Sequence, residues 1–290
     1  MFILQNDMLR ITVKEKGAEL VSLYHKKDAI EYIWSGNPAF WAKHSPVLFP
    51  IVGALKNDTY YYNNKLYHLS RHGFARDRQF TLSAATASEL CFTLESDAGT
   101  LQQFPFEFKL DMIYRLQQNG LTVMYRVTNT GSGNMYFSVG GHPAFSVPFV
   151  EGTDYNDYYL EFNEPELAGR WPISANGLIE NDSAPLLVNT QKLPLRKELF
   201  YRDALVFKNL RSRKVRLLSN RHNKGIAFDF AGFPYLGIWA AKDADFVCIE
   251  PWCGIADPVT SNQQLPDKEG INRLAPQAVF ERSWGVGFEI

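Results

Sequence analysis

Between Phe106 and Thr128 the chain alternates apolar and polar residues on both sides of one turn signal. Phe106, Phe108, Leu110, Met112, Tyr114 and Leu116 alternate with Glu107, Lys109, Asp111 and Arg115. Asn119-Gly120 follows, and Leu121, Val123, Tyr125 and Val127 then alternate with Thr122, Arg126 and Thr128. Successive side chains of a strand point to opposite faces, so a period of two buries one face of each arm. Asn-Gly suits the tight turn between antiparallel strands. The segment therefore predicts an antiparallel hairpin that needs a second layer over its apolar face.

The rest of the chain repeats this grammar in shorter pieces. Phe2-Leu4 and Leu9-Val13 flank a turn at Asn6-Asp7, and Ala18-Tyr24 reads as a third strand. Tyr60-Tyr62 and Leu66-Leu69 flank Asn63-Asn64 as a hairpin. Further strands are predicted at Tyr158-Phe162, Ala204-Phe207, Lys214-Leu218, Ile226-Phe230, Tyr235-Ala240, Phe246-Glu250 and Val286-Ile290. A helical period is almost absent; a turn or two of helix fits only Ala98-Gln103 and Arg196-Leu199. Many short strands with Gly, Asn and Pro turns predict an all-β fold, a large antiparallel β-sandwich. More than about a third of residues should lie in strands, against roughly 20–25% in ordinary domains. Glu151-Asp157 and Glu164-Leu186 read as internal loops, and no break in composition divides residues 1–290 into more than one domain.

Composition narrows the function classes. Of 290 residues, 46% are hydrophobic and 21% charged, which supports a sizeable core. The net charge of −1 and the lack of a basic block argue against nucleic acid as partner. No apolar run approaches the ~20 residues that cross a bilayer. Met1 to Lys14 lacks the order of a signal peptide, and the odd set Cys91, Cys248 and Cys253 reads as reduced thiols, so a cytoplasmic location is expected. Cys248 and Cys253 form C-x4-C without a second pair, which is not a zinc signature. No metal or cofactor is expected: neither G-x-G-x-x-G nor a P-loop occurs.

Four stretches carry chemistry. In Tyr136-Phe145, an apolar run meets Gly140-Gly141, then His142 held against Pro143. Proline disfavours helix at His142 and fixes its direction at a strand end, which makes the imidazole a candidate for proton transfer. Phe246-Trp252 mirrors this: an apolar strand is expected to end at Glu250, before Pro251. A carboxylate there is costly unless paired or functional, and burial raises its pKa toward a useful base. Leu69-Arg78 holds His72 with Arg71, Arg76 and Arg78 beside Gly73. His72 suits a substrate hydroxyl and an arginine suits hydroxyls or an anion; a solvated loop with Asp77 paired to an arginine is the plainer alternative. Asp203 is expected to open the strand that follows it, where its carboxylate can accept hydroxyls or simply make a turn. Aromatic residues make up 14% of the chain, and Trp34, Phe40, Trp41, Phe74, Phe145, Trp239 and Trp252 fall in or near these stretches. Such rings pack against the apolar faces of sugars.

Five segments in one order, Trp41-Gly53, Arg71-Arg78, Val139-Phe145, Arg202-Phe207 and Ile249-Trp252, resemble the aldose 1-epimerase (galactose mutarotase) superfamily, most closely its LacX-like branch. The resemblance implies the superfamily's large antiparallel β-sandwich with an open sugar groove. It implies that His142 acts as general acid on the ring oxygen and Glu250 as general base on the C1 hydroxyl. His72 matches the supporting histidine, Asp203 the aspartate that holds sugar hydroxyls, and Arg76 lies within the matched loop. The implied activity is interconversion of the α and β anomers of a hexose, without metal or cofactor. The extra arginines of Arg71-Arg78 add a hexose phosphate to the implied substrates. A non-catalytic sugar-binding or sensor protein of the same fold is the alternative from another class.

Overall fold

Strands occupy 50% of the chain and helical turns 8%, so the period-two reading holds. The computed structural model describes residues 1–288; Glu289 and Ile290, the end of the expected strand Val286-Ile290, lie outside the described residues. The hairpin that anchored the reading forms from Phe108–Gln117 and Gly120–Asn129, with Leu110 opposite Val127 and Tyr114 opposite Val123. Its turn sits one residue earlier than expected. Gln117 pairs with Gly120, so Gln118 and Asn119 form the loop, and Gln118 takes φ 49°. Tertiary contacts fix this register: Asn119 donates to Phe288 O, and its Oδ1 lies 3.1 Å from His25 Nε2.

This hairpin belongs to a nine-stranded antiparallel sheet. Its order is Ala184–Pro194, Tyr158–Arg170, Lys214–Ser219, Ile226–Asp229, Val279–Gly287, Gly120–Asn129, Phe108–Gln117, Glu89–Glu95 and Thr81–Ala85. A six-stranded sheet packs against it: Leu205–Lys208, Tyr235–Trp239, Phe246–Cys253, Val139–Gly141 and Val47–Leu48 in order, with Ala144–Ser146 also paired to Phe246–Cys253. Aromatic pairs tie the layers together, such as Phe145 with Phe228 at 6.0 Å and Phe162 with Phe207 at 6.2 Å. A four-stranded sheet, Phe2–Gln5 to Ile30–Glu31, joins the same core.

One reading needs correction. Glu164-Leu186 is a loop only in its middle, residues 171–183: Tyr158–Arg170 runs into its start and Ala184–Pro194 begins before its end. Beyond Phe162 one face of this ribbon turns to solvent while only scattered residues such as Glu166 and Leu187 stay buried, so apolar alternation is lost. Leu167 and Val188, which lie opposite each other, are 73% and 65% exposed. The edge strand Thr81–Ala85 lacks a signal for the same reason. Its neighbour Glu89–Glu95 does carry one, because Leu90, Phe92 and Leu94 are buried in alternation. The helix expected at Ala98-Gln103 is α-helical, capped by Asp97 and Thr100, and a 3-10 turn spans Lys197–Phe200. Among the described residues, no helix is long and apolar enough to cross a membrane.

Candidate functional site

The six-stranded sheet and the loops beside it carry the expected site residues. Their carrier is Phe246–Cys253, a strand whose eight residues are all buried. Glu250 does not end it, contrary to expectation; pairing continues to Cys253 through Pro251. Proline is tolerated because of which side it faces. The Ile249 N–H donates toward Pro143 O, so residue 251 faces that same side. There it lies across from Gly141, the last residue of Val139–Gly141; the proline withholds one donor, but only where that strand stops at His142-Pro143.

That break places His142. Gly140 pairs with Trp252 and Ala144 with Cys248, so His142 falls across from Glu250. His142 Nε2 lies 3.3 Å from Glu250 Oε2. The ring stacks on Trp41 (centroids 4.9 Å apart, planes at 29°) and meets the edge of Trp239 at 5.5 Å. The glycines beside the carrier strand have a steric cause. A Cβ on Gly140 would lie 2.8 Å from the Trp252 ring, and one on Gly237 would lie 2.4 Å from it. Only glycine on both neighbouring strands lets this indole lie across the sheet.

The arginine loop closes a second side. Gly73, at φ 69°, packs so tightly that a Cβ would lie 2.4 Å from Phe49 O. His72 also has φ 69°, and Asp203 has φ 87°; both are uncommon for residues other than glycine and concentrate at functional sites. The backbone N–H of Gly53 donates to His72 Nδ1 at 3.1 Å. A neutral imidazole has one acceptor nitrogen, so the proton sits on Nε2. Arg71 Nε lies 3.3 Å from that same Nε2, so two donors face each other, and the flexible arginine is the partner able to move. Arg71 also forms a two-pronged pair with Asp203, both contacts at 3.2 Å. Asp203 does not open the strand itself; it precedes Leu205–Lys208 and also accepts from the Ala204 N–H. Arg76 donates to Arg71 O. Arg78 turns away to Asp97, and Asp77 pairs with Lys43 as well as Arg76, so the solvated-loop reading holds for that end.

His72, Arg76, His142, Asp203 and Glu250 therefore converge on one cavity of about 320 Å³, with Arg71 and three tryptophans in its wall. The volume falls at the low end of the small-molecule range of roughly 300–1,000 Å³. Among the described residues, seven buried side-chain polar atoms have no hydrogen-bond partner. Four of them, Arg76 Nε, His142 Nδ1, Glu250 Oε2 and Trp252 Nε1, belong to residues lining this cavity. Buried polar groups normally find partners, so this concentration marks a place for a polar ligand.

Burial pushes Glu250 well above the usual carboxylate range; the Arg71 charge opposes the rise and the Asp203 charge adds to it. Burial pulls His142 down to about 3, reinforced by Arg76 and Arg71. His72 is held well below the ordinary histidine value by burial, His142 and the same arginines. Burial thus favours the protonated form of Glu250 and holds both imidazoles neutral. Sequence reasoning treated Cys248 only as half of C-x4-C. The structure puts its side chain on the face of Glu250, two residues away, a placement that period two encodes.

Residues 1–269 match the sequence profile of the aldose 1-epimerase family. The chain belongs to that family. It is 33% identical to the chromosomal LacX protein of Lactococcus lactis subsp. lactis over 294 aligned positions, covering 98% of this chain and 97% of LacX. A galactose mutarotase-like protein from Lactobacillus casei superposes with a TM-score of 0.93 at 34% identity, covering all of both chains. A galactose mutarotase related enzyme from Lactobacillus acidophilus gives 0.95 at 32% identity, covering all of this chain and 97% of its own.

Proposed function

We propose that the protein, acting as one domain, is a mutarotase that interconverts the α and β anomers of a hexose, with His142 and Glu250 as its acid–base pair. The observation that carries this reading is the buried pair at 3.3 Å, open to a cavity and without other partners for its facing oxygen. Anomer exchange requires a cyclic hemiacetal to open. Glu250 takes the O1 proton while His142 gives one to O5, and the C1–O5 bond breaks. The aldehyde turns about C1–C2, and closure on its other face reverses both transfers. The proton count balances, because the carboxylate–imidazolium form that starts the cycle and the carboxylic acid–imidazole form that holds the open chain each carry one mobile proton. Burial favours the second form, and the sugar's hydroxyls replace lost solvation in the first.

The remaining residues orient the ring. His72 presents its Nε2–H, Asp203 accepts hydroxyls once Arg71 moves, and Trp41 and Trp239 offer apolar faces. Saturation-transfer NMR of anomer exchange in glucose and galactose tests the proposal directly. Exchange above the buffer rate supports it, and binding without exchange would favour a sugar sensor of the same fold. A hexose phosphate is the second reading, favoured by Arg76, whose Nε is buried in the cavity wall without a hydrogen-bond partner, its nearest counter-charge Asp77 being 3.8 Å away. If Arg76 receives the phosphate, titration calorimetry at low salt will show tighter binding of hexose phosphate than of its parent sugar; equal affinities would remove this reading.

A further inference from the structure

Cys248 and Glu250 stand two apart on the carrier strand, so both side chains leave the same face. His142 comes from across the broken neighbour. As a result Cys248 Sγ, a ring nitrogen of His142 and a carboxylate oxygen of Glu250 all lie within 4.8 Å of one another, on three buried residues. Independently, Glu250 Oε2 is buried without a hydrogen-bond partner. We propose that these three side chains form a binding site for a thiophilic divalent cation, zinc foremost, that excludes the sugar from the cavity.

The ligand types decide the cation. A thiolate, an imidazole and a carboxylate together suit zinc, while calcium and magnesium prefer oxygen alone. Tetrahedral bonds of about 2.0–2.3 Å set ligand atoms about 3.3–3.8 Å apart. Side-chain rotations of about an ångström therefore close the set without moving the sheet. Three protein ligands leave a fourth position for water or chloride, and His142 and Glu250, unlike Cys248, line the cavity, so the ion would sit at its wall. Cys253 cannot take part: five residues from Cys248, it leaves the opposite face of the strand, near Gly232 O. The binding step balances simply. The cation enters, the Cys248 thiol and the Glu250 carboxyl each release a proton, and His142 contributes an existing lone pair. Binding removes the mobile proton that anomer exchange needs; this competition rests on the proposed function, whereas metal binding does not.

Cobalt(II) added alone to the full-length protein provides an optical probe, since only a thiolate ligand gives a sulfur-to-cobalt charge-transfer band. One ion per chain with that band is expected, and zinc should displace it. Cys248→Ser should abolish the band and weaken binding by about 10–100-fold or more, as disturbing a metal's surroundings commonly does; Cys91→Ser and Cys253→Ser should keep both. A band that survives in Cys248→Ser overturns the site. Zinc-edge X-ray absorption on the wild-type protein decides the matter even if that variant folds poorly: one sulfur among nitrogen and oxygen neighbours supports the site, and a shell without sulfur overturns it. In the exchange assay zinc should inhibit the wild type, a chelator should restore it, and Cys248→Ser should resist. Metal binding in a protein with no exchange at all would leave this site standing and remove the mutarotase reading instead.

Discussion

Glu19 and Glu250 are equally hidden, each 1% exposed, yet they ionise in opposite senses. Burial pushes both upward. Around Glu19 that push is overcome: His44 and Ser45 donate backbone N–H groups at 2.5 and 3.1 Å, Lys14 lies 2.5 Å away, and the carboxyl falls to about 2. Around Glu250 only the Arg71 charge and the Trp252 indole oppose the push, no backbone N–H or lysine does, and Oε2 is left without a hydrogen-bond partner. Burial does not decide the charge of a carboxyl; the donors supplied to it do. One glutamate is spent on structure, fixing the loop that carries Trp41 against His142. The other is kept available for chemistry.

The sharpest way to break this contrast is to replace the available member. Glu250→Gln preserves shape but cannot accept the O1 proton, so kcat should fall about 10²–10⁴-fold. Combining it with His142→Asn should cost less than the product of the single losses, because the residues act as a unit. Exchange NMR measures both; near wild-type exchange in folded Glu250→Gln would remove this carboxylate as the base. Folding should survive this change or improve, since a poorly solvated acid is removed.

Glu19→Ala should do the reverse. It orphans two backbone donors and a lysine, for a loss of about 3–5 kcal/mol in urea unfolding. Acid should reproduce part of that loss. Glu19 is lowered in the folded state from 4.5 to about 2, so its contribution is complete above pH 4.5 and fades as pH falls toward 2, by about 3 kcal/mol in all. Glu250 is raised, so the folded state holds its proton longer than the unfolded chain does. Wild type should therefore lose ground to Glu250→Gln as pH rises above 4.5. Unfolding curves at pH 3 and pH 7 test both signs; slopes of the same sign would end the comparison. The smallest effect is an absence of change. With His142 lowered to about 3, NMR signals of its ring should show no protonation step around pH 6.5, whereas a step there would mean an imidazole titrating as if in water.

Legibility followed burial. Leu110, Tyr114 and Val127 reported their sheet because one face of each strand is dry. The ribbon around Leu167 and Val188 was silent because its buried positions, such as Glu166 and Leu187, are scattered and mix polar with apolar residues. At the site, Gly140, His142, Glu250 and Pro251 announced themselves as residues that make poor strand interior, and they cluster in space. The sequence misplaced the end of the Glu250 strand, because proline usually stops pairing, and here Pro251 stays paired with Leu236 on one side while facing only the terminal residue Gly141 on the other. Arg71 gripping Asp203 was not legible at all: the partners lie 132 positions apart and no local pattern joins them.

The order of the nine-stranded sheet has a consequence in time. Val279–Gly287 lies in the middle, between Ile226–Asp229 and Gly120–Asn129. The strand synthesised late is the one that closes the centre. At roughly 5–20 residues per second on the ribosome, the nascent chain holds its earlier strands as two separate groups for on the order of ten seconds. During that interval the inner edge of Gly120–Asn129 is open, an invitation to pair with the wrong neighbour. The final sheet is thus assembled like an arch, with its keystone set after both flanks are standing.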